Sequence, residues 1–353
     1  MKRIIIFHIT ISAIFLAVLS SCTNDDISAE RYGGHSSLMD IQTFTGSYDS
    51  FATRGAVTGN SFANGNTYGL FFCKHHDASA DGTDSFETYG SGLDNVQAYK
   101  ASSGWQYYLS GRSTYLNNVY ILQNEDGDTF DCYAYAPYIS SVTTPEAIPF
   151  ILTDQNDIMW AVENQMSDTN KDISVDGEPK TIKLHFLHAL SLLTLKFTLL
   201  DNTTSSSSLT KVSIKRSETA ATPFYSSGTF NAITGQFIPS SLQTLGNGDE
   251  CPFEYSSSIK PTETLTIQIL VMPAELQADD DIEFLFGIDS HDMPVTYKIK
   301  RNDVLHSDGT TYGFQAGFNY TFNFVYDNYI RLSEVTIQSD WTDDPKGERN
   351  LTI

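Results

Sequence analysis

Apolar and polar residues alternate along most of this chain with the period of a strand rather than a helix. Tyr320, Phe322, Phe324 and Tyr326 interleave with Thr321, Asn323 and Val325, which puts four aromatic rings on one face of one strand. Leu265, Ile267, Ile269 and Val271 repeat the pattern, as do Ile282, Phe284, Phe286 and Ile288, and then Val295, Tyr297 and Ile299. Each run predicts a strand with one face against a core. Turn sequences separate such runs, among them Asp126-Gly127-Asp128, Asn247-Gly248-Asp249 and Ser307-Asp308-Gly309. Long helical periodicity is nearly absent, so the chain reads as all-β with antiparallel sandwich architecture.

The parity of the apolar set changes at two places. Leu184, Phe186 and His188 occupy even positions, whereas Leu193, Leu195, Phe197 and Leu199 occupy odd ones, so the chain must bend or bulge between His188 and Leu193. Ile330 and Leu332 likewise give way to Val335, Ile337 and Trp341, which puts a bulge or corner at Ser333 and Glu334. A chain of 353 residues is too long for one ordinary sandwich. With the polar run Ser167 to Lys180 as a linker or long loop, the division falls into an N-terminal β-sandwich domain over 55–182 and a C-terminal one over 183–353.

The N-terminus has a different character. Lys2 and Arg3 precede an apolar stretch from Ile4 to Leu19, and Leu19-Ser20-Ser21-Cys22 closes it with small residues and a cysteine. This fits a bacterial lipoprotein signal over 1–21, with lipidation of Cys22 after cleavage, and not a membrane span. The lipid alone would tether the mature precursor to a membrane. Residues 22–54 then form a propeptide or linker with a short strand-like run, Met39, Ile41 and Thr43 alternating with Asp40, Gln42 and Phe44. Arg54-Gly55 in a polar segment suits a trypsin-like protease, which draws the backbone extended into its cleft.

Charge narrows the function classes. Lys and Arg number 21 against 43 Asp and Glu, and loss of Lys2 and Arg3 takes the net charge from -22 to -24. Such a surface repels phosphates, so no nucleic-acid partner is expected. With Cys22 lipidated, Cys73, Cys132 and Cys251 remain, an odd number that cannot complete a disulfide framework. They read as buried small hydrophobes, with one pair open.

Candidate chemistry fails on spacing. His185 and His188 point to opposite sides of a strand, and His188 shares the inward face with Phe186, as a hydrogen-bonded core histidine does. His75 and His76 diverge in an extended chain. Asp279, Asp280 and Asp281 lack the alternating ligands and closing Glu of a calcium loop. No phosphate loop and no nucleophile elbow is present, so the sequence assigns no catalytic residue, no metal and no cofactor beyond the lipid of the precursor. Trp105, Tyr107 and Tyr108 are the best candidates for stacking on a sugar, with Tyr108 on the opposite face from the other two, and a surface-anchored glycan-binding lipoprotein is the reading of another class.

In their order along the chain, several segments resemble the fimbrillin family of Bacteroides-like bacteria, the subunits of type V pili. They are the signal ending at Cys22, Thr53-Arg54-Gly55, Gly65-Asn66-Thr67-Tyr68-Gly69-Leu70-Phe71-Phe72, Phe186-Leu187-His188-Ala189-Leu190-Ser191 and Val271-Met272-Pro273-Ala274. Near the C-terminus, Phe314-Gln315-Ala316-Gly317-Phe318-Asn319-Tyr320-Thr321-Phe322 and Val335-Thr336-Ile337-Gln338-Ser339-Asp340-Trp341 continue the series. Asn66 and Phe318 depart from the Asp and Lys common in similar sequences. The resemblance implies two tandem transthyretin-like β-sandwich domains and transport to the outer membrane as a lipoprotein. It also implies cleavage after Arg54 by a trypsin-like protease and polymerisation with other fimbrial subunits by donor-strand exchange into a cell-surface fimbrium that supports adhesion. Its donor strand comes from the C-terminal region, where Val335, Ile337, Trp341, Leu351 and Ile353 are the candidates. A tip or accessory fimbrial adhesin is the alternative role within the resemblance.

Overall fold

Strand-period alternation is realised as sheet throughout the computed structural model, which describes residues 36–45, 62–74, 88–90, 92–110, 114–123, 128–152, 156–162, 171–199, 208–216, 224–225, 227–239, 244–245, 257–258, 264–277, 282–288, 295–326 and 330–338. The first half contributes β1 (Ser36–Thr45), β2 (Thr67–Lys74), β3 (Val96–Ala101), β4 (Gly104–Tyr108), β5 (Val119–Leu122), β6 (Thr129–Ala136), β7 (Ile148–Ile151), β8 (Met159–Val162), β9 (Ile173–Ser174) and β10 (Lys180–His188). The second contributes β11 (Ser191–Leu199), β12 (Ser208–Arg216), β13 (Phe224–Tyr225), β14 (Ser227–Asn231), β15 (Gln236–Pro239), β16 (Thr244–Leu245), β17 (Ser257–Ser258) and β18 (Thr264–Val271). It continues with β19 (Ala274–Glu275), β20 (Ile282–Ile288), β21 (Val295–Lys298), β22 (Gly313–Phe314), β23 (Asn319–Tyr326) and β24 (Ile330–Gln338). A 3-10 turn, Arg301–Val304, precedes β22.

The first half forms one sheet in the order β4-β3-β2-β6-β8-β10-β1-β5, with β9 beside β6. Right-handed twist lets a sheet this wide curl over a core. The curl brings β4 back to β1, where the Trp105 indole N–H donates to Thr43 Oγ1 at 3.1 Å, and Tyr107 pairs with Leu116 through both backbone hydrogen bonds. Even positions of β2, β6 and β10, together with Met39, Ile41, Val119 and Ile121, fill the interior. The odd positions Phe71, Cys73, Tyr133 and Tyr135 are also buried, in the core that the second half shares. These two central strands are therefore apolar on both faces.

In the second half, β18-β11-β23-β24 and β17-β12-β20-β21 form two four-stranded sheets. The rings anticipated on one face of β23 meet those of β20 between them: Phe284 lies 5.2 Å from Phe322 and 5.6 Å from Phe324, and Phe286 lies 5.0 Å from Phe324, centroid to centroid. Edge-on aromatic packing of this kind adds to the burial of the rings themselves. A small sheet, β15-β14-β7, joins the halves, because β7 comes from the first and β14 and β15 from the second.

Both parity changes have a physical counterpart. β10 buries its even positions, the chain bends at Ala189 and Leu190, and β11 starts in a different sheet. The expected boundary between 182 and 183 thus cuts through β10, which pairs along its length with β1 and β8; the passage from one sheet to another comes after His188. At the second change, the register of β23 and β24 shifts between Asn323 and Phe324, and Ser333 Oγ donates to the Asn323 carbonyl at 2.9 Å across the bulge. The all-antiparallel expectation needs correction: β1 runs parallel to β10, and β11 runs parallel to β23. Alternation reports which side chains face inward and carries no information on the direction of the neighbour.

Candidate functional site

The strand at 36–45 is the part of the fold with the most consequential position, because it comes from the N-terminal segment yet sits inside the first sheet. Its register pairs run from Met39↔Lys180 to Thr45↔Phe186 along β10 and from Ser36↔Leu122 to Met39↔Val119 along β5. Inward parity selects Ser37, Met39 and Ile41, which are 0%, 2% and 8% exposed. Asp40 points outward and accepts from Gln42 Nε2 at 2.9 Å. Burying Met39 and Ile41 stabilises the seat by about 3 to 6 kcal/mol at roughly 1.5 to 3 kcal/mol per large side chain.

Polar contacts hold both ends of the inward row. Ser37 Oγ accepts from the Gly177 backbone N–H at 3.1 Å, and Thr43 Oγ1 accepts from Trp105. The indole is fixed in turn by Phe62, edge-on at 5.5 Å, by Tyr68, edge-on at 4.6 Å, and by Lys100 Nζ at 5.1 Å from its ring. Beyond Met39 the register with β5 ends. There Met39, Asp40 and Ile41 border a cleft of about 480 Å³ whose other walls include Gly104, Trp105, Asn117 and Asn118. Over much of its length β1 is therefore paired on one side only.

Val335 and Ile337 lie on β24, an edge strand of the second half, opposite Phe322 and Tyr320 of β23. Both are half-buried against the core, so they are away from the seat of β1 in this state. Cys22, Arg54, Gly55, Trp341, Leu351 and Ile353 lie outside the described residues, as do Cys251, the His75-His76 pair and Asp279 to Asp281.

The remaining candidates resolve on packing. His188 is 7% exposed, and its Nδ1 lies 2.6 Å from Asp157 Oδ2, a hydrogen-bonded core histidine at the end of β10. Cys73 and Cys132 are buried free thiols on opposite faces of their sheet, which excludes a bond between them, and burial raises the pKa of both. Tyr107 is buried, which pushes its phenol up to about 12, whereas Trp105 is half-buried, held by Phe62 and Tyr68, and forms part of the wall of the cleft beside β1. Tyr108 does face outward, 5.5 Å from Tyr115, which is 6.0 Å from Tyr99 and 45% exposed. Trp105 is the residue whose role in the seat the alternation did not disclose. Its signal was chemical: an indole N–H on an inward face needs an acceptor.

A sequence profile described as fimbrillin-like matches residues 53–341. The chain belongs to the fimbrillin-like family. This fimbrillin-like chain shares its fold with a candidate cell adhesion protein of Bacteroides ovatus, at a TM-score of 0.54 and 16% identity over 87% of this chain and 98% of that one. A fimbrial protein of Bacteroides vulgatus aligns at a TM-score of 0.48 and 14% identity, over 86% of this chain and 99% of that one. No curated protein sequence matches.

Proposed function

We propose that this fimbrillin-like chain is a non-enzymatic subunit of a type V fimbrium that supports adhesion. It travels to the outer membrane as a lipoprotein on Cys22. A trypsin-like protease cuts after Arg54, and the chain then joins other fimbrial subunits by strand exchange. Each half serves as a transthyretin-like sandwich, and the processed chain passes from the first to the second after β10. One observation carries the reading: β1 precedes Arg54 in sequence and occupies an interior place in the first sheet between β5 and β10. A cut after Arg54 severs that strand from everything else in the sheet. Its departure leaves unpaired backbone along β10 and an apolar floor, and such an edge recruits a strand from a neighbour.

Family membership and the fold shared with the B. ovatus protein support the fimbrial role. The burial of Tyr107 and the packing of Trp105 against Phe62 and Tyr68 weigh against the glycan-binding alternative. The test is processing and assembly together. Mass spectrometry of protein taken from cells should find an N-terminus at Gly55, and brief trypsin treatment of the chain from Cys22 should yield ladders that resist mild denaturation. Arg54→Ala should fold, keep its lipid and stay unassembled. Efficient assembly of that variant would remove cleavage from the mechanism.

A further inference from the structure

The outward positions of β3 and β4 carry no charge, in a chain whose net charge is -22. They are Gln97, Tyr99 and Ala101 on one strand and Gly104, Gln106 and Tyr108 on the other, and the register sets Gln97 against Tyr108 and Tyr99 against Gln106. Rings and amides therefore alternate as a checkerboard of cross-strand neighbours. Trp105 and Tyr107 belong to the other face, and Lys100 goes with them, its Nζ 5.1 Å from the Trp105 ring. Tyr115 joins the outward set because its neighbour Leu116 exchanges both backbone hydrogen bonds with Tyr107, which brings Tyr115 alongside Tyr108. The Tyr115 ring lies 5.5 Å from that of Tyr108 and 6.0 Å from that of Tyr99, and its hydroxyl donates to Gln97 Oε1 over a long 3.5 Å.

A polar knot holds a fourth ring beside these three. Gly69 of β2 stands next to Gln97 in the same row, and a Cβ there would lie 2.3 Å from the Tyr135 ring, so its absence lets that ring cross β2. The Tyr135 hydroxyl then donates to Asn95 Oδ1 at 2.8 Å and accepts from the Ile139 N–H at 3.2 Å. Asn95 Nδ2 donates to the carbonyls of Ile139 and Val142, each at 2.9 Å. These bonds pin the turn that contains Tyr138. Burial first, and then the neighbouring phenols of Tyr108 and Tyr115, raise the pKa of Tyr138, in keeping with its place beside both. Rings held in this way have little freedom left to lose when a partner arrives.

We propose that Tyr99, Tyr108, Tyr115 and Tyr138 form a platform for a neutral glycan, with a sugar stacked on the exposed ring of Tyr115 and its hydroxyls taken by Gln97 and Gln106. The C–H face of a pyranose matches an apolar ring face, and its hydroxyls match amides and phenols that both donate and accept. An uncharged face offers no partner to a sulfate or carboxylate, and the negative charge of the chain repels both. A peptide that adds a strand needs a free edge, and Leu116 already covers β4 at Tyr107. The platform lies on the side of the sheet away from β1, which Trp105 contacts from the other face, so it is complete in the uncut chain. Its use in adhesion rests on the fimbrial reading above: a filament repeats a weak site in every subunit and engages many at once.

The experiment applies the chain from Cys22 with Arg54→Ala to an array of neutral, sialylated and sulfated oligosaccharides, so that the readout does not depend on cleavage. Binding should fall on neutral glycans. Tyr115→Ala should lower that signal at least about tenfold, as loss of a central aromatic anchor does, with an unchanged melting temperature because the ring is 45% exposed. Tyr115→Phe, which keeps the ring, should retain most of the signal. A blank array, a preference for the acidic glycans, or a Tyr115→Ala chain that binds like its parent overturns the assignment. Capture of a proline-rich peptide in place of any glycan, lost in Tyr115→Ala, overturns it too and gives the face to a peptide. Ladders made with trypsin from the unaltered chain should bind the same neutral glycans at least about tenfold more tightly per subunit than the uncut chain. If the uncut chain binds but ladders gain nothing or never form, the platform stands and the fimbrial reading beneath its use fails.

Discussion

Gly235 marks a close contact between the two halves of the molecule. It turns the β14–β15 hairpin with φ of 71°, and a Cβ there would stand 2.3 Å from the indole ring of Trp160 on β8. Gly235→Ala should therefore lose about 2 to 4 kcal/mol, part from the left-handed backbone and part from the clash. Urea unfolding measures the loss, and the same change in a Trp160→Leu background should retain only the backbone share of about 1 to 2 kcal/mol. A second residue reports on the seat of β1 through pH. His185 stands opposite Phe44 in the register of β10, and burial, followed by the charge of Lys183, lowers its pKa. The folded state then binds this proton more weakly than the unfolded one, so its contribution to stability is full above about pH 6.5 and is lost as pH falls below that value. Melting temperatures at pH 7.5 and 5.5 should drop more for the native chain than for His185→Gln. Equal drops would remove His185 as the cause. Of these residues only the histidines were legible in the sequence, since partners like Trp160 and Gly235 are brought together by the fold alone.

Elements were legible where one face is apolar and the other polar. The parity of Met39, Ile41 and Thr43 announced β1, and the changes at His188 and Ser333 announced the bend and the bulge. Direction and neighbour were not legible, because a strand shows the same alternation whether its partner runs parallel or antiparallel. That is why the parallel seat of β1 on β10 and the return of β23 alongside β11 had to come from the structure. The seat makes a parity prediction. Met39→Asp puts a carboxylate at a position 2% exposed and should cost about 3 to 5 kcal/mol, enough to release β1 locally. Gln42→Ala, on the outward face, should cost less than about 0.5 kcal/mol. Hydrogen exchange at the amides of residues 39–45 separates the two: protection should vanish in the first variant and persist in the second. Loss of protection in both would mean that β1 is held by its outward face instead.

At the scale of the whole molecule, the question is whether the vacated seat alone can hold two copies together. Two apolar side chains supply about 3 to 6 kcal/mol, whereas association costs an estimated 4 to 15 kcal/mol in lost freedom before any gain appears. Side-chain burial is thus too small by itself, and the contact must draw on backbone pairing along β10 and on the donors at the ends of the row. Those groups become available only when β1 is gone. A chain produced directly from Gly55 onward should therefore self-associate without protease, whereas the chain from Cys22 with Arg54→Ala should remain monomeric at the same concentration. Light scattering after size-exclusion chromatography distinguishes them. If the shortened chain is a monomer whose β10 amides are as protected as in the full one, the first sheet closes without β1 and the reason for exchange disappears. If it associates but a Trp105→Phe version dissociates markedly faster, the donors at the seat's ends set the lifetime of the contact, as the energy balance requires.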